Sequence, residues 1–389
     1  MILDRRPVDR AEGAVLAHAV SWRADERARR MAKGTRLDAR AIDRLRRAGI
    51  ARVEVAVPEP GDVAEDEAAR RCADALLKAA GSSDDAGERG ARADTASTGR
   101  VNLRSATAGL FRADRAAVDA LNAIDARLTI ATLPDGERVG AGELVATIKV
   151  IPFFVPGERI ERWAARCGGG PLAVDVVPWR GMRVAHLSTV LEGTKPGVLE
   201  KTRRALLDRL RDTGATALPE RRLPHERADL AEALIGTLAE QGPDIAVVFG
   251  ASAVTDEGDI VPDAIRAAGG TIERVGMPVD PGNLLVLGRV GATTIIGAPG
   301  CARSPARNGF DWVLDRSLAG LSVRDEEIAA WGVGGLLKEI PARPSPRETA
   351  ARARGEPRAD RADASGDGAG RAGTGRAGAD SADAGRTGE

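Results

Sequence analysis

Two stretches of small and polar residues carry the side chains best suited to hold a ligand. The first, Gly250-Ala251-Ser252-Ala253-Val254-Thr255-Asp256-Glu257-Gly258-Asp259, leaves an apolar run, Ile245 to Phe249, and enters a helical pattern. Small side chains at Gly250 and Ala251 let backbone N–H groups approach an anion, and Ser252 and Thr255 add hydroxyl donors. Asp256 and Asp259 have two readings: ligands of a divalent cation, Mg²⁺ being the candidate, that bridges carboxylate and phosphate, or caps of the next helix. The second stretch is Gly297-Ala298-Pro299-Gly300-Cys301-Ala302-Arg303-Ser304-Pro305. Gly300 tolerates positive φ, and Arg303 and Ser304 are placed to contact a phosphate. Between them, Met277-Pro278-Val279-Asp280-Pro281-Gly282-Asn283 reads as a Pro-Gly turn. Lys195, at a strand-to-helix turn, reads equally well as a further phosphate partner or as helix surface, whereas Lys201 reads rather as helix surface. Cys301 is either a thiol facing the ligand or a small buried residue. His18, His186 and His225 are scattered and form no triad or metal cluster in the sequence. Each reads as a packed histidine.

Whether these stretches meet depends on the elements around them. Strand 182–191 (MRVAHLSTVL) passes through Lys195 into helix 197–214, closed by Gly214. Helix 226–242 leads into strand 244–250 (DIAVVFG), whose unbroken apolar run suits a strand covered on both faces. Helix 259–270, strands 271–277, 283–290 and 292–299, and helix 307–320 complete the block. Alternating strands and helices joined by right-handed crossovers predict an open, largely parallel, doubly wound α/β sheet. Ligands of such sheets bind beyond the carboxyl ends of the strands, so both stretches belong to one crevice.

Upstream the pattern is mixed. A strand at 13–22, a helix at 37–50, a strand at 51–57, a helix over Glu65 to Lys78, a helix at 115–125, and strands at 127–133 and 143–155 around the Asp135-Gly136 turn lack regular βαβ order. They predict an α+β domain over 1–165, with a flexible insertion at 81–99, a linker at 166–181 and the α/β domain over 182–340. From Pro341 onward almost nothing can bury apolar area, and a disordered tail is expected at 341–389. Arg outnumbers Lys 51 to 6, which favours compositional drift over nucleic-acid binding as the origin of that tail.

Composition narrows the function classes. Lys+Arg and Asp+Glu are equal at 57, so no net field draws the whole chain to nucleic acid or an anionic membrane. Three cysteines, far apart, suggest neither a disulfide framework nor a zinc knuckle and fit a reducing compartment. Charges at Asp4, Arg5, Arg6, Asp9, Arg10 and Glu12 interrupt any apolar leader, and no window reaches the ~18 apolar residues of a membrane span. The expectation is a soluble cytoplasmic protein with no nucleic-acid or membrane partner.

GASAVTDEGD, MPVDPGN and GAPGCARSP, in this order, resemble the three loops of the molybdopterin-binding domain shared by MogA-type and MoeA-type proteins of molybdenum cofactor biosynthesis. Those loops read Gly-Gly-x-Ser-x-Gly-x-x-Asp, Met-x-Pro-Gly-x-Pro and Gly-x-Pro-Gly-Asn-Pro. The resemblance is best over 182–320. AEGAVLAHAV, KGTRLDARAIDRLRRAGIARVEVA, TIATLPDGERVGAGELVATIKVIPFFVP and LEGTKPGVLEKTRRAL extend it. Together they resemble a bacterial molybdopterin-binding protein often joined to a MobA-like nucleotidyltransferase, whose LxAGxSxRMGxxK signature does not occur here.

The resemblance implies a MogA-like fold for the α/β domain and a pterin-phosphate site at Gly250, Ala251, Ser252, Thr255, Asp256, Asp259, Pro281, Gly282, Pro299, Gly300, Ser304 and Lys195. Molybdopterin is the implied ligand, and a separate MobA-like nucleotidyltransferase the implied partner. MogA-type trimers and MoeA-type dimers leave the assembly open between monomer and homo-oligomer. Where those families have Thr-Gly-Asp-Glu-Leu, this chain reads Ser188-Thr189-Val190-Leu191-Glu192, and Ala251 and Cys301 replace a glycine and an asparagine. These departures favour a binding or carrier role over catalysis. The enzymatic alternative is a molybdenumtransferase or adenylyltransferase, and a third class is an interaction protein that docks the transferase.

Overall fold

The computed structural model describes residues 1–24, 27–80 and 90–337. Residues 81–89 of the expected insertion and the whole of the expected tail lie outside them. The first lobe holds β1 (Ile2–Pro7), β2 (Val15–Leu16), β3 (Val20–Ala24), β4 (Arg27–Met31), α1 (Ala39–Arg47) and β5 (Arg52–Val57). The second holds β6 (Asp62–Ala64), α2 (Glu65–Ala79), β7 (Ala91–Ala93), β8 (Arg100–Ser105), β9 (Gly109–Ala113), α3 (Arg115–Asn122), β10 (Leu128–Thr132), β11 (Arg138–Val139), β12 (Leu144–Val150), β13 (Phe154–Pro156), α4 (Gly157–Gly168) and β14 (Val174–Pro178). The third holds β15 (Arg183–Val190), α5 (Pro196–Leu210), β16 (Thr216–Ala217), β17 (Arg221–Pro224), α6 (Arg227–Gln241), β18 (Ile245–Phe249), α7 (Ile260–Ala267), β19 (Thr271–Val275), β20 (Val286–Val290), β21 (Thr293–Ala298), α8 (Gly309–Leu318) and α9 (Asp325–Ala329).

Strand pairing in the first two lobes is antiparallel throughout the described residues, as expected of an α+β arrangement. Several features differ from the sequence reading: the strand read over 13–22 is β2 and β3, and that over 143–155 is β12 and β13, each pair divided between different sheets. β7, inside the expected insertion, pairs with β8. α4 and β14 occupy much of the segment read as a linker and its approach. α4 is pinned by Trp163, fully buried, whose indole N–H donates to the Cys72 carbonyl on α2 at 3.1 Å. Helix α5 ends at Leu210, short of Gly214, because Arg211 already leaves the helical region at ψ 140°, and Asp212 follows in a left-handed conformation at φ 64°.

The third lobe is the doubly wound element. Its sheet runs β16-β15-β18-β21-β20-β19, with β17 also paired to β15. β15, β16, β17, β18 and β21 are parallel. β20 is antiparallel to both β19 and β21, because the 276–285 loop and the turn at 291–292, not helical crossovers, make the connections. All five β18 residues are buried, as their apolar run requires. Val184, Val247, Phe249 and Ile296 pack against α5 and α8 on one face. Ala185, Leu187, Val248 and Ile295 pack against α6 and α7 on the other.

Charged contacts clamp α8 to the second lobe. Arg138 binds the Asp315 carboxylate and donates to the Arg209 carbonyl at 2.8 Å. Arg316, only 3% exposed, reaches Asp135 at 2.7 Å and Glu327 at 2.8 Å, and its guanidinium lies 4.6 Å from the centre of the Trp331 ring. Gly136 permits this approach: its φ is 79°, and a Cβ there would lie 3.0 Å from Arg316 Nη1.

Candidate functional site at the carboxyl edge of the parallel sheet

Register fixes the site. Phe249 of β18 pairs with Ala298 of β21 and with Ser188 of β15, so the chain segments leaving these strands emerge side by side on one edge. The 250–259 and 299–305 loops share that edge. The 276–285 connection reaches it as well, because β19 runs parallel to β21 through two antiparallel steps.

The first loop is tied down at its start. The Ala251 N–H donates to Thr189 Oγ1 at 2.8 Å, and the Gly250 carbonyl accepts from Arg303 Nη2 at 2.7 Å. Ser252 is exposed at the loop's turn. Asp259 caps α7: its Oδ1 accepts from Ile260 N–H at 2.7 Å and its Oδ2 from Thr255 N–H at 3.0 Å. Asp256 accepts from Gly258 N–H at 2.8 Å. The capping alternative therefore describes Asp259, and both its oxygens are engaged by backbone. Among the described residues no group of three or more His, Cys, Asp or Glu converges as metal ligands. Asp256 and Asp259 thus spend carboxylate oxygens on the loop's own backbone.

Two arginines organise the second loop. Arg209 of α5 donates to the carbonyls of Ala302 at 3.0 Å and Ser304 at 2.9 Å, and pairs with Asp311 of α8 at 2.7 Å. Asp311 closes a capping box with Asn308 at the start of α8. Arg303 points the other way, to Gly250 and to Thr202 Oγ1 at 2.8 Å, with its guanidinium 5.6 Å from the centre of the Phe249 ring. Burial lowers its affinity for the proton. Among the described residues no carboxylate lies within ion-pair distance of Arg303, whereas Arg209 and Arg138 each hold one and Arg316 holds two. A half-buried cation that ties two strand-end loops together with no acidic partner is poised for an anion.

The remaining sequence candidates divide. Pro299 is buried and Gly300 exposed at the start of the second loop, with Ser304 at its end. Pro281 follows a cis peptide, and its carbonyl accepts from Gly309 N–H at 2.8 Å. Gly282 is pressed on Gly309, where a Cβ would meet the helix backbone at 2.7 Å, so these two shape the α8 start. Lys195 is exposed at the N-cap position of α5 on the same edge. Desolvation pushes the half-buried Cys301 thiol up, which disfavours its thiolate.

Sequence reasoning missed a polar cluster beneath this edge. His186 is 3% exposed, its Nε2 is 3.0 Å from Ser188 Oγ, and its ring meets Phe249 edge-on at 5.1 Å. Burial lowers its pKa to about 4, against the pull of Glu220 and with Arg222, Arg203 and Arg303 adding to the drop. His225 stands at the end of β17, with Nδ1 2.8 Å from Thr189 Oγ1. The available signal was the alternation in His-Leu-Ser-Thr, which puts His186 and Ser188 on one face and Thr189 on the other.

A family described as a domain of unknown function (DUF8806) matches residues 5–57. No curated protein matches the chain. Among solved structures, the molybdopterin biosynthesis MoeA protein of Pyrococcus horikoshii is 14% identical, over 82% of this chain and 75% of that one, with a TM-score of 0.28. The molybdopterin biosynthesis enzyme MoaB of Thermus thermophilus is 18% identical, over 36% of this chain and 97% of that one, with a TM-score of 0.26. A molybdenum cofactor biosynthesis protein of Pyrococcus furiosus is 12% identical, over 83% and 66%, with a TM-score of 0.21. Scores this low do not establish a common fold, so function has to be argued from the chain's own residues.

Proposed function

We propose that this chain binds the phosphate of a molybdopterin-type pterin at the carboxyl edge of the β15–β18–β21 sheet and serves molybdenum cofactor biosynthesis as a carrier or maturation partner. The observation that carries the reading is Arg303, which bridges Gly250 and Thr202 without a carboxylate of its own. The loop motifs support the pterin assignment, and the edge geometry supports a phosphate held by Arg303 and the exposed Ser252. The expected exchange of pterin with a separate MobA-like nucleotidyltransferase belongs to the same reading.

The test is retention of pterin by protein purified from cells that express the cofactor enzymes, assayed by oxidation and fluorescence. Wild type should retain pterin at a level comparable to a MogA-type control. Arg303→Gln should reduce it at least about tenfold, the cost of one charge-assisted contact. Ser252→Ala should reduce it less, and Asp263→Asn, whose carboxylate faces Arg227 and Arg266, should leave it unchanged. A wild-type protein free of pterin beside a loaded control ends the proposal.

A further inference from the structure

We infer that His225 is a ligand-reading residue of this edge, presenting an N–H donor to the heterocycle while Arg303 takes the phosphate; the inference rests on the pterin-phosphate reading above. Three observations converge on the imidazole. Its backbone N–H donates to the Val190 carbonyl at 3.0 Å, which fixes it at the end of β15. Its Nδ1 lies 2.8 Å from Thr189 Oγ1. Its ring lies along the first loop, since a Cβ added at Gly250 would be 3.8 Å from His225 Cε1. Gly250 is thus flanked by Arg303 at its carbonyl and by His225 at its Cα.

Proton accounting sets what the ring offers. Thr189 is 1% exposed, so its hydroxyl proton needs an acceptor inside the protein. Its oxygen already accepts the Ala251 N–H. The acceptor within reach is His225 Nδ1, so the hydroxyl donates there and the ring N–H falls on Nε2. Among the described residues nothing bonds Nε2, and the half-buried ring offers a single oriented donor at the strand edge. Such a donor matches a ring carbonyl or ring nitrogen of a flat heterocycle, with Arg303 as the charged group for the phosphate. The same hydroxyl links ring to loop, so a bound heterocycle that engages Nε2 also steadies the Ala251 N–H.

The experiment uses the full chain and three probes: inorganic phosphate, 6-hydroxymethylpterin and its monophosphate ester, titrated by calorimetry or pterin fluorescence. In wild type the ester should bind most tightly. His225→Ala should weaken both pterins three- to tenfold and leave inorganic phosphate unchanged, and Arg303→Gln should weaken the ester and phosphate but spare the pterin alcohol. His225→Gln, whose amide nitrogen reaches the Nε2 position, should keep most of the affinity, whereas His225→Asn should not. The inference is overturned if His225→Ala leaves both pterins unchanged or weakens phosphate equally, or if Asn and Gln behave alike. Ester binding that depends on Arg303 but not on His225 removes this inference alone, and no binding of any probe removes both it and the reading beneath it.

Discussion

A histidine on an apolar strand and an arginine without an acid are opposite cases of one rule, that a buried group needs its charge answered or removed. Arg303 keeps its charge, answered by the Gly250 carbonyl, Thr202 Oγ1 and the Phe249 ring. His186 gives its charge up: Phe249 and three arginines, Arg203, Arg222 and Arg303, surround it, and only Glu220, 3.9 Å from Nε2, favours protonation. Its folded pKa of about 4 lies below the ordinary 6.5, so between those values the unfolded chain binds the proton and the folded one refuses it. Stability from this group is therefore complete above about pH 6.5 and falls away as the pH drops toward 4, by on the order of 1–3 kcal/mol. His186→Gln keeps a polar group beside Ser188 and cannot titrate. Its melting temperature should fall less steeply than that of wild type between pH 6.5 and 4, and parallel curves would assign the acid sensitivity to other groups.

The elements that carry the loops differ in how far the sequence announces them. β18 is written as an apolar run, and its loop as small residues ending in a cap at Asp259, so both were legible from local pattern alone. The second loop was legible as a turn but not as a tethered one, because its tether is Arg209 on α5, 93 residues from the Ala302 carbonyl it holds. α4 escaped notice because charged residues dilute its apolar spacing at Ile160, Trp163 and Cys167, the three it buries. β19 and β20 could not be oriented, since direction depends on the connection rather than on the strand itself. The Arg209 tether gives an expectation at this scale. Arg209→Met removes the carbonyl contacts and strands Asp311, at a cost of about 3–5 kcal/mol in urea unfolding. Adding Asp311→Asn should restore part of that loss by removing the uncompensated charge. A single variant that loses less than 1 kcal/mol would show that Pro299 and Pro305 hold the loop without it.

At the scale of the molecule, Met1 to Leu337 forms one compact unit although its three lobes have separate apolar clusters. The apolar contact between the second and third lobes is small, with Leu110, Val177 and Ala319 as its buried members. Charged pairs add to the joint, Arg316 to Asp135, Arg112 to Glu327, Arg138 to Asp315 and Arg307 to Glu137 crossing from one lobe to the other. An ionic joint is sensitive to the loss of its central member, because the desolvation of Arg316 is offset only while both carboxylates answer it. Arg316→Met is the informative change: Arg112 still faces Asp135 and Glu327, so the lobes keep their folds and the coupling between them is what weakens. Calorimetry of the wild type should give one transition with matching van't Hoff and calorimetric enthalpies. In the variant the van't Hoff value should fall below the calorimetric one, with the melting point lower by several degrees for a loss of about 2–4 kcal/mol. If the enthalpies still match, the lobes unfold together for another reason, and the Leu110–Val177–Ala319 contact becomes the place to look for it.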